Sequence, residues 1–149
     1  GLNTSVTLVV ALVFSVIAML LNRVGLSLYA AAIVGAMIGF LFWNANPAKV
    51  FMGDTGSLFL GGAVCALAFG VDMPILLILI GIIYIVEILS VVLQVTYFKI
   101  SHGKRIFKMA PIHHHFEMCG WNENKICFVF SGVTLLAGII GVLLAVFGC

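Results

Sequence analysis

The chain has 149 residues, of which 64% are hydrophobic and 8% are charged, and its formal net charge is +2. A soluble domain carries about a quarter charged residues, so this composition excludes an ordinary soluble domain and predicts an all-α integral membrane protein. Nucleic acid is excluded as a partner, because the cations are few and no basic stripe follows a helix face.

Five apolar segments reach or approach the length of about 20 residues that a helix needs to cross a lipid bilayer. They are residues 4–21, 26–43, 58–71, 74–98 and 125–147. The third is short, and Pro74 suits the first turn of the fourth, where a missing N–H costs nothing. We expect residues 1–149 to form one membrane-embedded domain with polar loops at about 44–57 and 99–125.

The basic residues are distributed unevenly between the two faces that these five crossings create. Both polar loops fall on one face, and the cations on it are Lys49, Lys99, Lys104, Arg105, Lys108 and Lys125. The turns on the other face carry only Arg23. The positive-inside rule therefore predicts that both loops are cytoplasmic in a multi-pass protein of the inner (plasma) membrane.

Glu87 is a charged residue inside the fourth apolar segment. A charge at the bilayer centre costs about 2.5 to 3.5 kcal/mol on insertion scales, so its side chain should face the protein interior or a wet cavity. One stripe at helical spacing is formed by Tyr84, Glu87, Ser90 or Val91, Gln94 and Tyr97. The stripe either lines a substrate cleft or makes a polar contact between helices.

The first polar loop holds a carboxylate in a glycine-rich turn. Pro47 should end the second helix, because its ring disfavours helical geometry at Asn46. Gly53 and the nearby Gly56 permit a tight turn around Asp54, and Ser57 is expected to cap the third helix. Asp54 is either an oxygen ligand for Mg²⁺ or a helix cap.

The second polar loop holds the adjacent histidines His113, His114 and His115. Neighbours on a helix diverge by about 100°, so at most two of them should contact a common substrate while the third braces the loop. Histidine donates to phosphate when protonated and binds metal when neutral. Zinc is the rival ligand, although only Glu117 and Cys119 lie near enough in sequence to complete a zinc site. The basic residues before the triplet attract either anionic lipid or a polyanionic nucleotide.

Both loops resemble motifs of a known enzyme superfamily. Residues 46–57, Asn-Pro-Ala-Lys-Val-Phe-Met-Gly-Asp-Thr-Gly-Ser, resemble a signature of the polyprenyl-phosphate sugar-1-phosphate transferases. Residues 110–117, Ala-Pro-Ile-His-His-His-Phe-Glu, followed by Gly120 and Trp121, are similar to the phospho-N-acetylmuramoyl-pentapeptide-transferase family within it. Two alternatives stay open: another UDP-N-acetylhexosamine:polyprenyl-phosphate transferase, and a subunit for metal or ion transport.

The resemblance implies the C-terminal half of a ten-helix bundle with a cytoplasmic cleft. It implies transfer of phospho-N-acetylmuramoyl-pentapeptide from its UDP-linked donor to undecaprenyl phosphate, with Mg²⁺, release of UMP and formation of lipid I. The catalytic residues that it implies are Asp54, which is also the metal ligand, and His113, His114 and His115. The substrate-binding residues that it implies are Asn44, Lys49, Phe51 and Ser57. The lipid bilayer is a further partner, and a homodimer is a candidate assembly.

The sequence departs from the family pattern at its start. Gly1 and Leu2 look like the tail of the family's Asp-Gly-Leu-Asp-Gly-Leu motif, whose aspartates are absent, as are the family's upstream paired aspartates. Val129 stands where an arginine is often found. We therefore expect the chain to be a fragment that holds part of the metal site and has no independent activity.

Overall fold

The computed structural model describes residues 1–45 and 47–148. The helices are α1 (Leu2–Leu20), α2 (Val24–Asn44), α3 (Asp54–Gly70), α4 (Ile75–Ile80), α5 (Ile82–Ile100), α6 (Ile112–Met118) and α7 (Glu123–Phe147). Over the described ranges the regular structure is helical without strands, which confirms the predicted all-α class.

The helices α1, α2, α5 and α7 are long and apolar enough to cross a membrane. The third predicted span corresponds to α3, which is apolar but has only 17 residues. The prediction of one unbroken helix over 74–98 is wrong, because the chain breaks at Gly81 into α4 and α5. Glycine is a weak helix former, and a Cβ at this position would lie 2.7 Å from the carbonyl oxygen of Leu77.

The core forms around α1, which packs against α2, α3 and α7. Its side chains Val10, Phe14 and Ile17 are fully buried. Helix α7 approaches α1 closely at Gly138, where a side chain would overlap Val13. Burying one helix on three sides explains why α1 is far more buried than the other long helices.

The two predicted faces of the bundle are present. On one face, the turns after α1 and α3 are joined by an ion pair between Arg23 and Asp72, and Arg23 also donates to the carbonyl of Gly70. On the other, the start of α1 lies against the end of α2, where the hydroxyl of Thr4 donates to Asn44. We call this second face, which carries Ala45 and the segments 47–53 and 101–122, the loop face.

The segment predicted as an irregular loop over 99–125 contains a helix, α6. The side chains Ile112 and Phe116, four residues apart, pack against the buried core, and Phe116 stacks on Trp121 with ring centroids 4.8 Å apart. Residues four apart share one face of a helix, so this apolar pair holds α6 against the bundle. The histidine triplet therefore lies on a helix rather than in a loop.

Candidate functional site on the loop face

Asn44 anchors the first segment of the loop face. Its side chain is only 4% exposed; its oxygen Oδ1 accepts a hydrogen bond of 2.7 Å from Thr4, and its Nδ2 donates to the carbonyl of Val50 at 2.9 Å. The carbonyl of Trp43 accepts from the backbone N–H groups of Lys49 and Val50. These bonds turn the chain back after α2, which ends at Asn44 as expected, although Asn46 itself lies outside the described residues.

Phe51 follows this turn and leaves its ring 80% exposed. Phe42 on α2 is exposed to a similar extent, at 82%. Lys49 is also exposed, and its ammonium lies 5.6 Å from the ring centroid of Trp43. Among the described contacts, Lys49 therefore packs on the end of α2 rather than reaching the cleft described below.

Asp54 is the first residue of α3, and its side chain is exposed. The expectation that Ser57 caps this helix is wrong: Gly53 is the N-cap, and no side chain bonds the first turn. The helix-cap interpretation of Asp54 is also wrong, because the helix begins at Asp54 itself with extended backbone at Gly53. A carboxylate at this position interacts favourably with the positive end of the helix dipole and stays open to solvent.

The rings of His113 and His114 lie next to each other, with centroids 4.0 Å apart, whereas His115 contacts Phe107. Nδ1 of His113 lies 2.8 Å from Oε2 of Glu87 on α5, and Nδ1 of His114 lies 2.8 Å from Oε2 of Glu117 on α6. Nδ1 of His115 accepts a hydrogen bond of 3.1 Å from the backbone N–H of Lys108. The prediction that one histidine braces the loop is confirmed for His115.

A cleft of about 470 Å³ opens on the loop face. It lies between the N-terminal end of α1, the C-terminal end of α2, the segment around Phe51, α6 and the first turns of α7. Its polar lining residues are Ser5, Asn44, His113, Glu117, Glu123, Asn124 and Ser131. The hydroxyl oxygen of Ser131 is buried and has no hydrogen-bond partner within the described ranges.

The cleft collects some of the predicted site residues and leaves others outside. Asn44, Phe51 and His113 line it, although they come from two motifs separated by about sixty residues. Ser57 instead lines a second, mostly apolar groove between α1, α3, α4 and α5. The predicted residues that do not line the cleft are Lys49, Asp54, Ser57, His114 and His115.

The described residues offer a single protein ligand for Mg²⁺, the carboxylate of Asp54. Within 1–45 and 47–148, no group of three or more His, Cys, Asp or Glu side chains is arranged to hold a metal ion. Mg²⁺ is commonly held by one or two carboxylates, with water and substrate phosphates completing the coordination. The exposed carboxylate of Asp54 meets that requirement for one ligand.

Sequence reasoning considered Glu117 only as a partner in a zinc site and missed Glu123. Glu117 lies one turn after His114 on the same helix, and Glu123 begins α7. The signal for Glu117 was the spacing of Ile112 and Phe116, which is helical and places His114 and Glu117 on adjacent turns. Pro111 immediately before this spacing is also typical of a helix start.

Comparison with known proteins agrees with these motifs. Residues 1–72 match the model of glycosyl transferase family 4. The chain is 52% identical over 141 residues to a phospho-N-acetylmuramoyl-pentapeptide-transferase of Clostridium botulinum (strain Eklund 17B / Type B), which covers 95% of this chain and 43% of that protein. Residues 1–72, just under half of the chain, are therefore similar to glycosyl transferase family 4.

Two further relatives carry the same name. The transferase of Clostridium perfringens (strain 13 / Type A) is 56% identical over 136 residues, which is 91% of this chain and 43% of that protein. The transferase of Listeria monocytogenes serotype 4b (strain CLIP80459) is 48% identical over 147 residues, which is 99% of this chain and 45% of that protein. The chain thus spans under half the length of these curated relatives.

Proposed function

We propose that this chain forms part of an enzyme that transfers phospho-N-acetylmuramoyl-pentapeptide from its UDP-linked donor to undecaprenyl phosphate, releasing UMP and forming lipid I. The observation that carries the proposal is the convergence of Phe51 and His113 on one cleft. The two residues belong to the two motifs that resemble this enzyme family, and the relatives reported above carry its name.

The cleft offers the two kinds of contact that a nucleotide diphosphate needs. The exposed ring of Phe51 gives a flat apolar face for the uracil base, and stacking of a base on an aromatic side chain is worth about 1 to 3 kcal/mol. His113 has its Nδ1 engaged by Glu87, so Nε2 is the ring nitrogen left to accept a proton from a phosphate hydroxyl. In this proposal Phe51 binds the donor and His113 acts at the phosphates.

Asp54 is the residue of this chain that would hold Mg²⁺. When bound, the ion neutralises negative charge on the diphosphate, as in other phosphoryl transfers. The chain's own contribution to the transfer is positioning and proton acceptance: the cleft orients the donor, and Nε2 of His113 takes the proton from the attacking phosphate. Further metal ligands would have to come from outside the described residues.

The same proposal assigns the loop face to the cytoplasm. Lys99, Lys104, Arg105 and Lys108 are all exposed on this face. The opposite face carries Arg23, whose charge is paired with Asp72. The nucleotide donor would then arrive from the cytoplasm, while the phosphate of the lipid acceptor lies at the membrane interface beside the cleft.

A chimera tests the proposal. Because the chain spans 43% of the Clostridium perfringens relative, it is inserted in place of the matching segment of that protein, giving a full-length enzyme. We expect this chimera to release UMP from the UDP-muramoyl-pentapeptide donor only when undecaprenyl phosphate is present. A chimera that is folded in detergent but releases no UMP would refute the proposal, and equal release from UDP-N-acetylglucosamine would refute the assigned donor.

The role of Asp54 is tested by Asp54→Asn in the chimera. Loss of a metal-ligand carboxylate should reduce transfer at least about 100-fold and raise the Mg²⁺ concentration needed for half-maximal rate. The matched control is Asp72→Asn, which removes an exposed carboxylate from the opposite face and should leave transfer unchanged. Near-normal turnover of Asp54→Asn would show that this carboxylate is not a ligand.

A further inference from the structure

The polar stripe of α5 makes hydrogen bonds to the segment that carries the histidines. The oxygen Oε1 of Gln94 accepts from the backbone N–H groups of Ile106 and Phe107 at 3.2 and 3.0 Å, and its Nε2 donates to the carbonyl of Phe107 at 3.0 Å. One turn earlier, the hydroxyl of Ser90 accepts from the backbone N–H of Ile112 at 3.0 Å. The stripe is thus a polar contact between α5 and the segment 106–113.

Glu87 lies on this stripe, and its side chain hydrogen-bonds to His113. The carboxylate is 18% exposed and the imidazole 25%, and Oε2 lies 2.8 Å from Nδ1. The other oxygen, Oε1, is buried and has no hydrogen-bond partner in the described part of the chain. A charged residue within an apolar helix is costly, so a specific partner is needed to retain it.

The hydrogen bond between Glu87 and His113 determines which ring nitrogen of His113 carries the proton. A carboxylate can only accept, so the hydrogen bond requires a proton on Nδ1 of His113. In the neutral imidazole the free nitrogen Nε2 is then an acceptor, and the ring lines the cleft. A carboxylate that holds one ring nitrogen controls both the tautomer and the orientation of a histidine.

We infer that Glu87 is a positioning residue that acts on the reaction through His113. The inference rests on the proposed function, because it needs Nε2 of His113 to accept a proton from the attacking phosphate. Glu87 does not line the cleft itself, so it does not contact the substrate there. It bonds Nδ1 of His113, while Ser90 bonds the backbone at the start of α6 and Gln94 bonds the segment before it.

A double-mutant cycle separates positioning from simple support of the fold. In the chimera, Glu87→Gln keeps the size of the side chain but permits the wrong tautomer of His113, so kcat should fall about tenfold or more with little change in KM. In a His113→Gln background the same substitution should cost less than about twofold, since there is no imidazole left to position. An equal loss of kcat in both backgrounds, or an unchanged kcat in Glu87→Gln alone, would overturn the inference.

A second measurement follows the chemical reactivity of His113 and does not depend on transferase activity. Diethyl pyrocarbonate modifies neutral imidazole nitrogens, and mass spectrometry of the chimera gives the modification rate of each histidine. We expect Glu87→Gln and Glu87→Asp to slow modification of His113 about threefold or more, because they weaken the tautomer that leaves Nε2 unprotonated. His102, which is exposed, should keep its rate and serves as the internal reference.

The outcomes of the two experiments distinguish this inference from the proposed function. A folded chimera without transfer but with the expected change in His113 reactivity would refute the transferase proposal and retain the Glu87–His113 coupling. An active chimera whose His113 reacts at the same rate in all Glu87 variants would refute the inference alone. Thermal unfolding in detergent identifies any variant that fails to fold, in which case Glu87→Asp replaces Glu87→Gln in the cycle.

Discussion

Replacing Asn44 by alanine should destabilise the loop face, because this side chain joins α1, α2 and the turn before α3. The substitution removes the hydrogen bonds with Thr4 at 2.7 Å and with the carbonyl of Val50 at 2.9 Å. Each bond contributes about 1 kcal/mol, and a buried group left without a partner costs about 1 to 3 kcal/mol. Since Asn44 is 4% exposed, water cannot easily replace either partner, and we expect a total loss of about 2 to 4 kcal/mol.

The free energy of unfolding of the chimera, measured by titration with a denaturing detergent, checks this magnitude. Asn124→Ala is the matched control, because Asn124 lines the same cleft but is exposed to solvent. Asn124→Ala should change the free energy of unfolding by no more than about 0.5 kcal/mol, as for most surface substitutions. If Asn44→Ala lowers the free energy of unfolding no more than Asn124→Ala does, the two hydrogen bonds do not stabilise the loop face and the reasoning fails.

Two further substitutions test single features of the loop face. Gln94→Ala should increase the hydrogen-exchange rate of the Ile106 and Phe107 amides about tenfold or more, since both lose their acceptor, whereas Gln94→Glu keeps an acceptor oxygen and should change the rate less. An unchanged exchange rate in Gln94→Ala would show that these hydrogen bonds do not protect the two amides. Phe51→Ala should raise KM for the UDP-linked donor about 5- to 150-fold, as expected for lost stacking, and leave KM for the lipid acceptor unchanged. Phe42→Ala, which removes an equally exposed ring from α2, is the control, and a parallel rise in both KM values would indicate a packing role for Phe51.

The sequence predicted the helical class and the ends of most spans because these depend on local composition. Apolar runs of the right length predicted α1, α2 and α7, and Pro47 predicted the end of α2. The break at Gly81 was missed, since a glycine inside an apolar run is tolerated in many helices and only its packing against Leu77 explains it. The short helix α6 was missed because polar histidines obscure the apolar spacing of Ile112 and Phe116.

The sequence predicted some features of the candidate site correctly and others wrongly. The motifs identified Phe51 and His113, and the structure brings these two to one cleft. The stripe on α5 left two interpretations open, and the structure favours the contact between helices, with Glu87 paired to His113. The prediction that Ser57 caps α3 was wrong. The helix begins at Asp54, directly after the extended backbone at Gly53 and without a capping side chain.

The sequence by itself determined that this protein is a bundle of apolar helices with two polar segments on one face, since hydropathy and charge act through local composition. Only the tertiary structure decided which polar groups meet: Glu87 with His113, Asn44 with Thr4, and Phe51 with the start of α7 across one cleft. The physical reason is that these contacts join residues from different helices. Their partners depend on how α1, α5 and α7 pack, and that packing depends on close approaches such as the one at Gly138.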